Sequence, residues 1–370
     1  MTGIDRRRFC QLVAGALVLP GLSYGSATGR QPLFASAARS RDGSYHLYLI
    51  SETGELLLDH PLPERAHHTE AHPQRPWLAC VARRPGTFID IIDYREQRLV
   101  KRITADSGRH FFGHGIFSED GRYLICTENN LADGQGRVVF RDIEQDFSII
   151  ADYPSHGIGP HELKQQPGSN TLVIANGGIL THPDQGRKKL NLDTMQPSLV
   201  RMNMADGRLL EQQFMPAELH QLSIRHIDTN RAGETVIALQ YQGGAEDNPP
   251  LVAVHRPDSP LKLLAAPAPV DIAMKRYCGS ARFDRTGRYA AVSAPRGDLI
   301  TFWDLQQDQF HSTLRSRDGC GLAATGQDAE FLISAGTGRC MSYNLANGRK
   351  TRLPSEIKPA WDNHMAFLNG

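Results

Sequence analysis

The sequence repeats one short unit along most of its length, and this repetition constrains the fold more than any other feature. In the clearest copy, residues 114–128 predict a strand, a tight Asp-Gly turn at Gly121 and a second strand. Two further short strands are predicted at residues 136–142 and 147–153. Four antiparallel strands within about 45 residues are typical of one blade of a β-propeller. Equivalent units begin near His68, His161, His226, Ser280 and Gly321.

The two ends of the chain together predict a seventh blade. Three strands are predicted between residues 33 and 59, with no innermost strand before them. A single strand is predicted at residues 364–367, where a His-x-x-Phe pattern repeats that of residues 114–117. If this C-terminal strand completes the first blade, the ring closes and no free sheet edge is left, whereas an open stack of sheets would leave both ends unpaired. The sequence therefore predicts an all-β fold, a seven-bladed β-propeller that forms a single domain over residues 28–370.

Histidines recur at one position of the repeat. His114 and His226 each stand seven residues before the glycine of their turn, Gly121 or Gly233. If a slip of one residue is allowed in the looser turns, five blades carry histidine here, although the chain has only 15 histidines among 370 residues. Because the innermost strands of a propeller line its central channel, we expect these imidazoles to form a ring. Its predicted members are His68, His114, His161, His226 and His364.

Converging imidazoles are good ligands for a transition metal, and the ring predicts iron or copper as the cofactor, with zinc as a third choice. The additional candidate ligands are Glu162, Cys278, Cys320, His220 and His182. A second interpretation is a polar, water-filled channel, in which the histidines bond to one another, to water and to backbone groups at strand ends. The sequence leaves both interpretations open.

The first residues are predicted to be an export signal, residues 1–27, rather than part of the fold. Arg6 and Arg7 precede Phe9, and the apolar stretch at residues 12–22 is shorter than the roughly 20 residues that a membrane-spanning helix needs. The segment resembles a twin-arginine signal, which directs folded proteins to the Tat export machinery. We therefore expect a mature periplasmic protein with no membrane span.

The cysteines outside this signal are odd in number, so they cannot all form internal disulfides. Cys80 and Cys126 lie in apolar, strand-like runs and are predicted core residues. Cys278, Cys320 and Cys340 lie near predicted strand ends, where disulfide partners, metal ligands and inert thiols are all open alternatives.

Charge and motif content exclude several classes of function. The 41 Lys and Arg residues balance 40 Asp and Glu residues, so the net charge of +1 argues against a nucleic-acid-binding protein. Outside residues 1–27, the sequence contains no GxSxG, HExxH, P-loop or CxxCH motif. Serine or zinc protease chemistry, nucleotide use and covalent haem are therefore disfavoured.

One long insertion interrupts the fourth blade at residues 177–193. Long loops in compact domains are usually functional or disordered, so this one is predicted to be a lid or partner-docking loop, with a solvated excursion as the alternative. Arg83, Arg84, Arg109 and Arg225 lie near predicted strand ends. There they could attract an anion, but scattered placement on the surface is the favoured expectation.

Distinctive motifs occur along the whole mature chain. They include Arg-His-Phe-Phe-Gly-His-Gly at residues 109–115, Ser-His-Gly-Ile-Gly-Pro-His-Glu at 155–162, His-Gln-Leu-Ser-Ile-Arg-His at 220–226 and Trp-Asp-Asn-His at 361–364. On these motifs the chain resembles a bacterial domain-of-unknown-function family of Tat-exported propellers, often encoded beside imelysin-type periplasmic proteins of iron acquisition. The resemblance implies the propeller fold, export and an iron context, with periplasmic iron-uptake proteins as partners. It assigns no catalytic residue.

Three functional hypotheses follow. The first is a periplasmic propeller that binds iron or copper through the channel histidines and acts in metal acquisition. The second is a protein-interaction scaffold for periplasmic iron-uptake partners. The third is a metal-dependent channel enzyme, which would normally need more carboxylates near the axis than the sequence offers.

Overall fold

The computed structural model describes residues 31–186 and 188–368 of the chain. The predicted export signal, residues 1–27, lies outside the described residues. The described chain is all-β and folds into seven antiparallel sheets arranged as the blades of a propeller. The seven-bladed fold predicted from the repeat is therefore confirmed.

The blades follow one another in chain order, and each numbered strand pairs with the next within its blade. Blade 1 contains β1 (Pro32–Arg39), β2 (Tyr45–Ser51) and β3 (Leu56–Leu62). Blade 2 contains β4 (Ala66–Ala71), β5 (Trp77–Ala82), β6 (Phe88–Asp93) and β7 (Arg98–Thr104). Blade 3 contains β8 (Arg109–Phe117), β9 (Tyr123–Asn130), β10 (Gly136–Asp142) and β11 (Ser148–Pro154). Blade 4 contains β12 (Pro160–Gln165), β13 (Thr171–Asn176), β14 (Ser198–Asn203) and β15 (Leu209–Phe214).

The remaining blades have the same plan. Blade 5 contains β16 (Leu222–Thr229), β17 (Thr235–Tyr241), β18 (Val252–His255) and β19 (Lys262–Leu264). A short helix, α1 (Ala268–Ala273), leads to blade 6, which contains β20 (Ser280–Phe283), β21 (Tyr289–Ala294), β22 (Leu299–Asp304) and β23 (Gln309–Arg315). Blade 7 contains β24 (Gly319–Ala324), β25 (Glu330–Ala335), β26 (Cys340–Asn344) and β27 (Lys350–Arg352).

The C-terminal segment closes the ring, as predicted, but it does so in two pieces. β28 (Ala360–Trp361) and β29 (Ala366–Phe367) both pair antiparallel with β1, and His364 lies between them. The carbonyl of His364 accepts a hydrogen bond from the Ser36 hydroxyl at 2.7 Å. The innermost strands β29, β4, β8, β12, β16, β20 and β24 contact one another in sequence and return to the start. The ring is therefore complete.

Apolar second and third strands explain why the blades stack. In β5, for example, residues 78–81 are fully buried, because side chains on both faces of a blade meet a neighbouring blade. Separate apolar clusters fill the spaces between successive blades all round the ring, including that between blades 7 and 1. Burial of each leucine, isoleucine or valine side chain stabilises the fold by roughly 1.5–3 kcal/mol. The outer strand β7, for example, is largely exposed and carries Arg98, Lys101 and Arg102, whose charges protect the blade edge.

The connections at one end of the ring determine what surrounds the channel mouth. The segment between β13 and β14 carries the predicted insertion and contains two short 3₁₀ helices, Pro183–Gln185 and Leu192–Thr194. It leaves β13 beside the start of β12, since Asn176 pairs with Pro160. It therefore lies on the face at which the innermost strands begin. Within residues 31–186 and 188–368, no helix has the length and apolar character needed to cross a membrane.

Candidate metal centre

Six histidine side chains meet at the centre of the propeller. Their imidazole rings are in contact, with ring centroids 4.6 to 6.2 Å apart in the contacting pairs. All six side chains are buried. We call this group the histidine cluster; its members are His67, His68, His114, His161, His226 and His364.

Irregular pairing in the innermost strands explains how so many imidazoles reach one place. Successive side chains of a regular strand point to opposite faces, but a β-bulge adds one residue and breaks this alternation. The pairing of β4 skips His67, that of β12 skips His161 and that of β16 skips Arg225. Consequently both His67 and His68 contact the ring of His114, at 5.0 and 4.8 Å.

A glycine makes room for the ring of His67. His67 contacts His114, His161, His226 and His364. Gly113 of β8 has φ of +109°, and a Cβ placed there would lie 3.0 Å from Cδ2 of His67. Both the positive φ and the close approach of the imidazole therefore require glycine at this position.

Two buried carboxylates orient two of the imidazoles. Nδ1 of His67 lies 3.3 Å from Oδ1 of Asp362, and Nδ1 of His226 lies 3.1 Å from Oε2 of Glu162. A carboxylate can only accept here, so Nδ1–H donates and the lone pair resides on Nε2. Carboxylates that hold metal-binding histidines in this way are a recurring feature of metal sites.

Other nitrogens of the cluster lack hydrogen-bond partners among residues 31–186 and 188–368. They comprise both ring nitrogens of His114 and of His364, together with Nδ1 of His68 and of His161. A buried polar atom without a partner is costly, and most such atoms in folded proteins are paired. A neutral imidazole carries one N–H and one lone pair, so one nitrogen of each of these four rings fits a site where a metal ion accepts its lone pair.

Burial keeps the imidazoles neutral at neutral pH. It lowers the pKa of His68, His114, His161 and His364 well below the usual histidine value. It also lowers the pKa of His226 to about 4, despite the opposing effect of Glu162. Neutral imidazole is the form that coordinates a metal, so the cluster is ready to bind one without first losing protons.

The carboxylate of Glu162 stays ionised within this buried site. Burial by itself would raise its pKa, but the cations Lys164 and Arg282 and the hydrogen bond from His226 hold it well below its usual range. Lys164 Nζ and Arg282 Nη1 lie 3.5 and 3.4 Å from Oε1 of Glu162. The site therefore has a fixed negative charge beside neutral nitrogen donors.

Three sets of donor atoms are close enough to share an ion. Within each set, one ligand atom from each residue lies within 4.8 Å of those from the others. The sets are His67, His114 and His161; His67, His226 and His364; and His68, His114 and Glu162. Such nitrogen-rich sets with one carboxylate suit iron, copper, zinc or nickel.

The structure brings all five predicted ring histidines together and adds Glu162, which was predicted as an additional ligand. His67 was missed, because the repeat register assigns one residue per blade; the His67–His68 doublet was the signal that could have revealed it. Cys278 and Cys320 belong to none of the three donor sets. Their thiols lie near the carbonyl of Leu251 and the hydroxyl of Ser293, respectively.

The two other predicted ligands also lie outside the cluster. His220 bonds through Nδ1 to the carbonyl of Ala217, and His182 caps a 3₁₀ helix by accepting from the backbone N–H of Asp184. The five cysteines of the described chain are all buried and free, and burial raises the pKa of every thiol. The core placement predicted for Cys80 and Cys126 is confirmed.

A basic cavity of about 810 Å³ opens on the face where the innermost strands begin. We call it the vestibule; its cationic lining residues include Arg83, Arg84, Lys189, Arg225, Arg276 and Arg296. A recess of about 40 Å³ joins it to the cluster, since Arg83, Arg84 and Arg225 line this recess together with His67, His161 and His226.

The expectation that these arginines are scattered over the surface was therefore wrong for three of the four. Arg83, Arg84 and Arg225 are half-buried and line one cavity, because strand ends from different blades converge at the channel mouth. Arg109 is different: it lies in blade 3 and pairs with Asp152 at 2.6 Å. The insertion contributes Ile179 and Lys189 to the vestibule wall.

Comparisons with known proteins agree with the fold and leave the chemistry open. A family model described as "Protein of unknown function (DUF1513)" matches residues 60–368. A search of curated proteins found no match. Among solved structures, a chain of hydrazine synthase from Kuenenia stuttgartiensis is similar, with 12% identity and a TM-score of 0.59 over 91% of this chain and 100% of that chain. At this identity, the likeness concerns the fold alone.

Proposed function

The chain belongs to the DUF1513 family of proteins, and from this premise we propose that it binds a transition-metal ion in the histidine cluster. The observation that carries the proposal is the convergence of six buried imidazoles, several of whose nitrogens have no hydrogen-bond partner in the described chain. No apolar packing requirement explains this concentration, because imidazoles are costly to bury unpaired.

We propose iron or copper as the bound ion, with zinc as the third choice, and the donor atoms suit all three. All donors are imidazole nitrogens except for one carboxylate, and no thiolate belongs to the described donor sets. Soft ions such as Cu(I) prefer sulfur, whereas imidazole suits Fe, Cu(II) and Zn. When bound, such an ion could supply Lewis-acid or redox chemistry, while Asp362 and Glu162 orient His67 and His226.

We further propose that the protein acts in the periplasm after twin-arginine export, in metal acquisition together with iron-uptake partners. The twin-arginine sequence and the iron context implied by the family resemblance support this proposal. Replacement of Arg6 and Arg7 by lysine should leave the protein in the cytoplasm, which cell fractionation would detect. Normal export of this variant would contradict the proposal.

Metal content provides the direct test of the site. The mature protein, purified from the periplasm without a histidine tag, should contain near-stoichiometric iron, copper or zinc by elemental mass spectrometry. The double variant His114→Ala/His364→Ala removes two rings whose four nitrogens have no hydrogen-bond partner in the described chain. Its metal content should fall by at least about tenfold, because each metal-ligand bond contributes strongly to affinity.

His255→Ala is the matched control. This histidine is also buried, but it lies in blade 5 and bonds to Glu211 at 2.9 Å, outside the cluster. Its variant should keep the metal. Thermal melting checks that each variant folds, and His161→Ala is used if the double variant does not. A wild-type protein that neither contains metal nor takes up added iron, copper or zinc would overturn the proposal and favour a protein-interaction scaffold.

A further inference from the structure

The vestibule carries a large excess of positive charge. Seven of its lining residues are cationic, and Asp318 is the only carboxylate among the described residues that line it. One of the seven, Arg65, donates a hydrogen bond to Asp362. Concentrated like charges oppose folding through mutual repulsion. A bound anion would offset that cost.

The positive charges come from several blades and converge on one space. Arg83 and Arg84 follow β5 of blade 2, Arg225 lies in β16 of blade 5, and Arg296 follows β21 of blade 6. Lys189 comes from the insertion of blade 4. Partial desolvation and the charges of Arg225, Arg296 and Arg84 lower the pKa of Lys189. The lowered pKa of Lys189 agrees with the concentration of positive charge around this cavity.

Several of these side chains are held in place by neighbours. Arg84 donates to the Thr181 hydroxyl at 2.9 Å and lies over the ring of Phe112. Arg296 lies over the ring of Tyr277, with its guanidinium carbon 4.2 Å from the ring centroid. Side chains that are already ordered lose less entropy when a ligand binds, so the vestibule is prepared for binding.

Size and chemistry define the class of ligand. A cavity of about 810 Å³ is large enough for a small organic molecule. Guanidinium groups match the paired oxygens of carboxylates and phosphates, with which they form two parallel hydrogen bonds. A ligand with one charge would reach the cations of only one or two blades, whereas a ligand with several charges could bridge them.

We propose that the vestibule binds a small polyvalent oxyanion, either a polycarboxylate or a phosphate compound, held by Arg83, Arg84 and Arg225 directly above the histidine cluster. This site is distinct from the metal site and does not depend on it. Because the recess joins the two, the bound oxyanion would lie at the entrance to the cluster.

Calorimetric titration of the metal-free protein tests this proposal. Citrate and pyrophosphate serve as probes of the two ligand types, and acetate serves as the singly charged comparison. At low salt, at least one polyvalent probe should bind with a Kd below about 1 mM. Acetate should bind at least about tenfold more weakly. Tighter binding of citrate identifies the polycarboxylate type, and tighter binding of pyrophosphate identifies the phosphate type.

The double variant Arg83→Gln/Arg225→Gln should weaken binding of the preferred probe by at least about tenfold, because charge-assisted hydrogen bonds are lost. Arg98→Gln is the matched control: this exposed arginine lies in the outer strand β7 and pairs with Glu96. It should change the affinity by less than about twofold.

If the double variant does not fold, Lys189→Gln/Arg296→Gln replaces it, since both of these side chains are exposed. This pair should weaken binding by several fold, and melting temperatures confirm that it folds. The proposal is overturned if neither polyvalent probe binds. It is also overturned if the vestibule variants bind as tightly as the control variant.

Discussion

The histidine cluster and the vestibule are both built from basic side chains, and they share the wall of one recess, but they differ in burial. The cluster is excluded from solvent, and burial lowers the pKa of its histidines, so they are neutral. The vestibule is open to solvent, and its guanidinium groups keep their charge. The same channel therefore offers lone pairs to a cation at one depth and positive charge to an anion at another.

The difference shows how depth decides the role of a basic residue in a propeller channel. In the cluster, charge is restricted to a few groups that are paired, such as Glu162 with Lys164 and Arg282. In the vestibule, solvent screens the repulsion between like charges, so several cations can lie close together. Three predictions follow from this comparison, in order of decreasing effect.

Removal of the buried charge should have the largest effect. Glu162→Gln leaves the cations Lys164 and Arg282 without their carboxylate in a buried site, so the free energy of unfolding should fall by about 3 kcal/mol. Arg296→Gln removes an exposed charge from the vestibule and should change the free energy of unfolding by less than about 0.5 kcal/mol. Chemical denaturation of the metal-free proteins measures both. If both variants lost the same free energy of unfolding, the proposed difference between the buried cluster and the exposed vestibule would be wrong.

Acid should remove the stability that the neutral histidine cluster contributes, and it should not weaken anion binding in the vestibule. Unfolded histidine has a pKa of about 6.5, whereas that of His226 in the fold is about 4, so between these values the unfolded chain binds more protons. Stability is therefore fully present above about pH 6.5 and is lost as the pH falls towards 4. Metal should leave the protein over the same range, since protons compete for the nitrogens.

Denaturation midpoints and metal content between pH 7.5 and about 4 test this expectation. Sulfate serves as the control ligand for the vestibule, because it stays doubly charged throughout this range. Arginine does not lose its proton there either, so sulfate binding should hold or strengthen as histidines become charged. A stability profile that is flat between about pH 6.5 and 4 would contradict the neutral, buried state of the cluster.

Salt should have the smallest effect, and only on the vestibule. Raising the ionic strength from about 0.05 to about 0.5 M shortens the distance over which exposed charges act, so binding of the preferred oxyanion should weaken by about tenfold. Buried groups are screened much less, and metal affinity should change by less than about twofold. Parallel titrations at the two salt concentrations check both values. Metal binding that weakens as much as oxyanion binding would place the metal in the vestibule instead.

Much of the fold could be predicted from the sequence, because a propeller repeats a local pattern. Short apolar strands separated by turns recur along the chain, and the unpaired strands at the two ends required closure between them. The closing segment was harder to predict in detail. It forms β28 and β29 rather than one strand, and between them the Ser36 hydroxyl donates a hydrogen bond to the His364 carbonyl.

The site could be predicted only in part. Repeat register identified five of the six clustered histidines, since equivalent positions of innermost strands face one axis. It missed His67, because the sequence does not reveal the bulge that lets two successive residues of β4 face inward. It also missed the vestibule, because Arg83 and Arg225 are far apart in the chain and meet only where blades 2 and 5 surround the same opening.

The sequence by itself determined the blade number, the closure between the two ends and the presence of histidines on the innermost strands. These properties follow from local patterns that each blade carries independently. The tertiary structure decided which side chains share a site, how deeply each lies and therefore which of them is charged. Those properties depend on the closed ring, because the contacts among six imidazoles and the field of the vestibule arise between blades and within none of them.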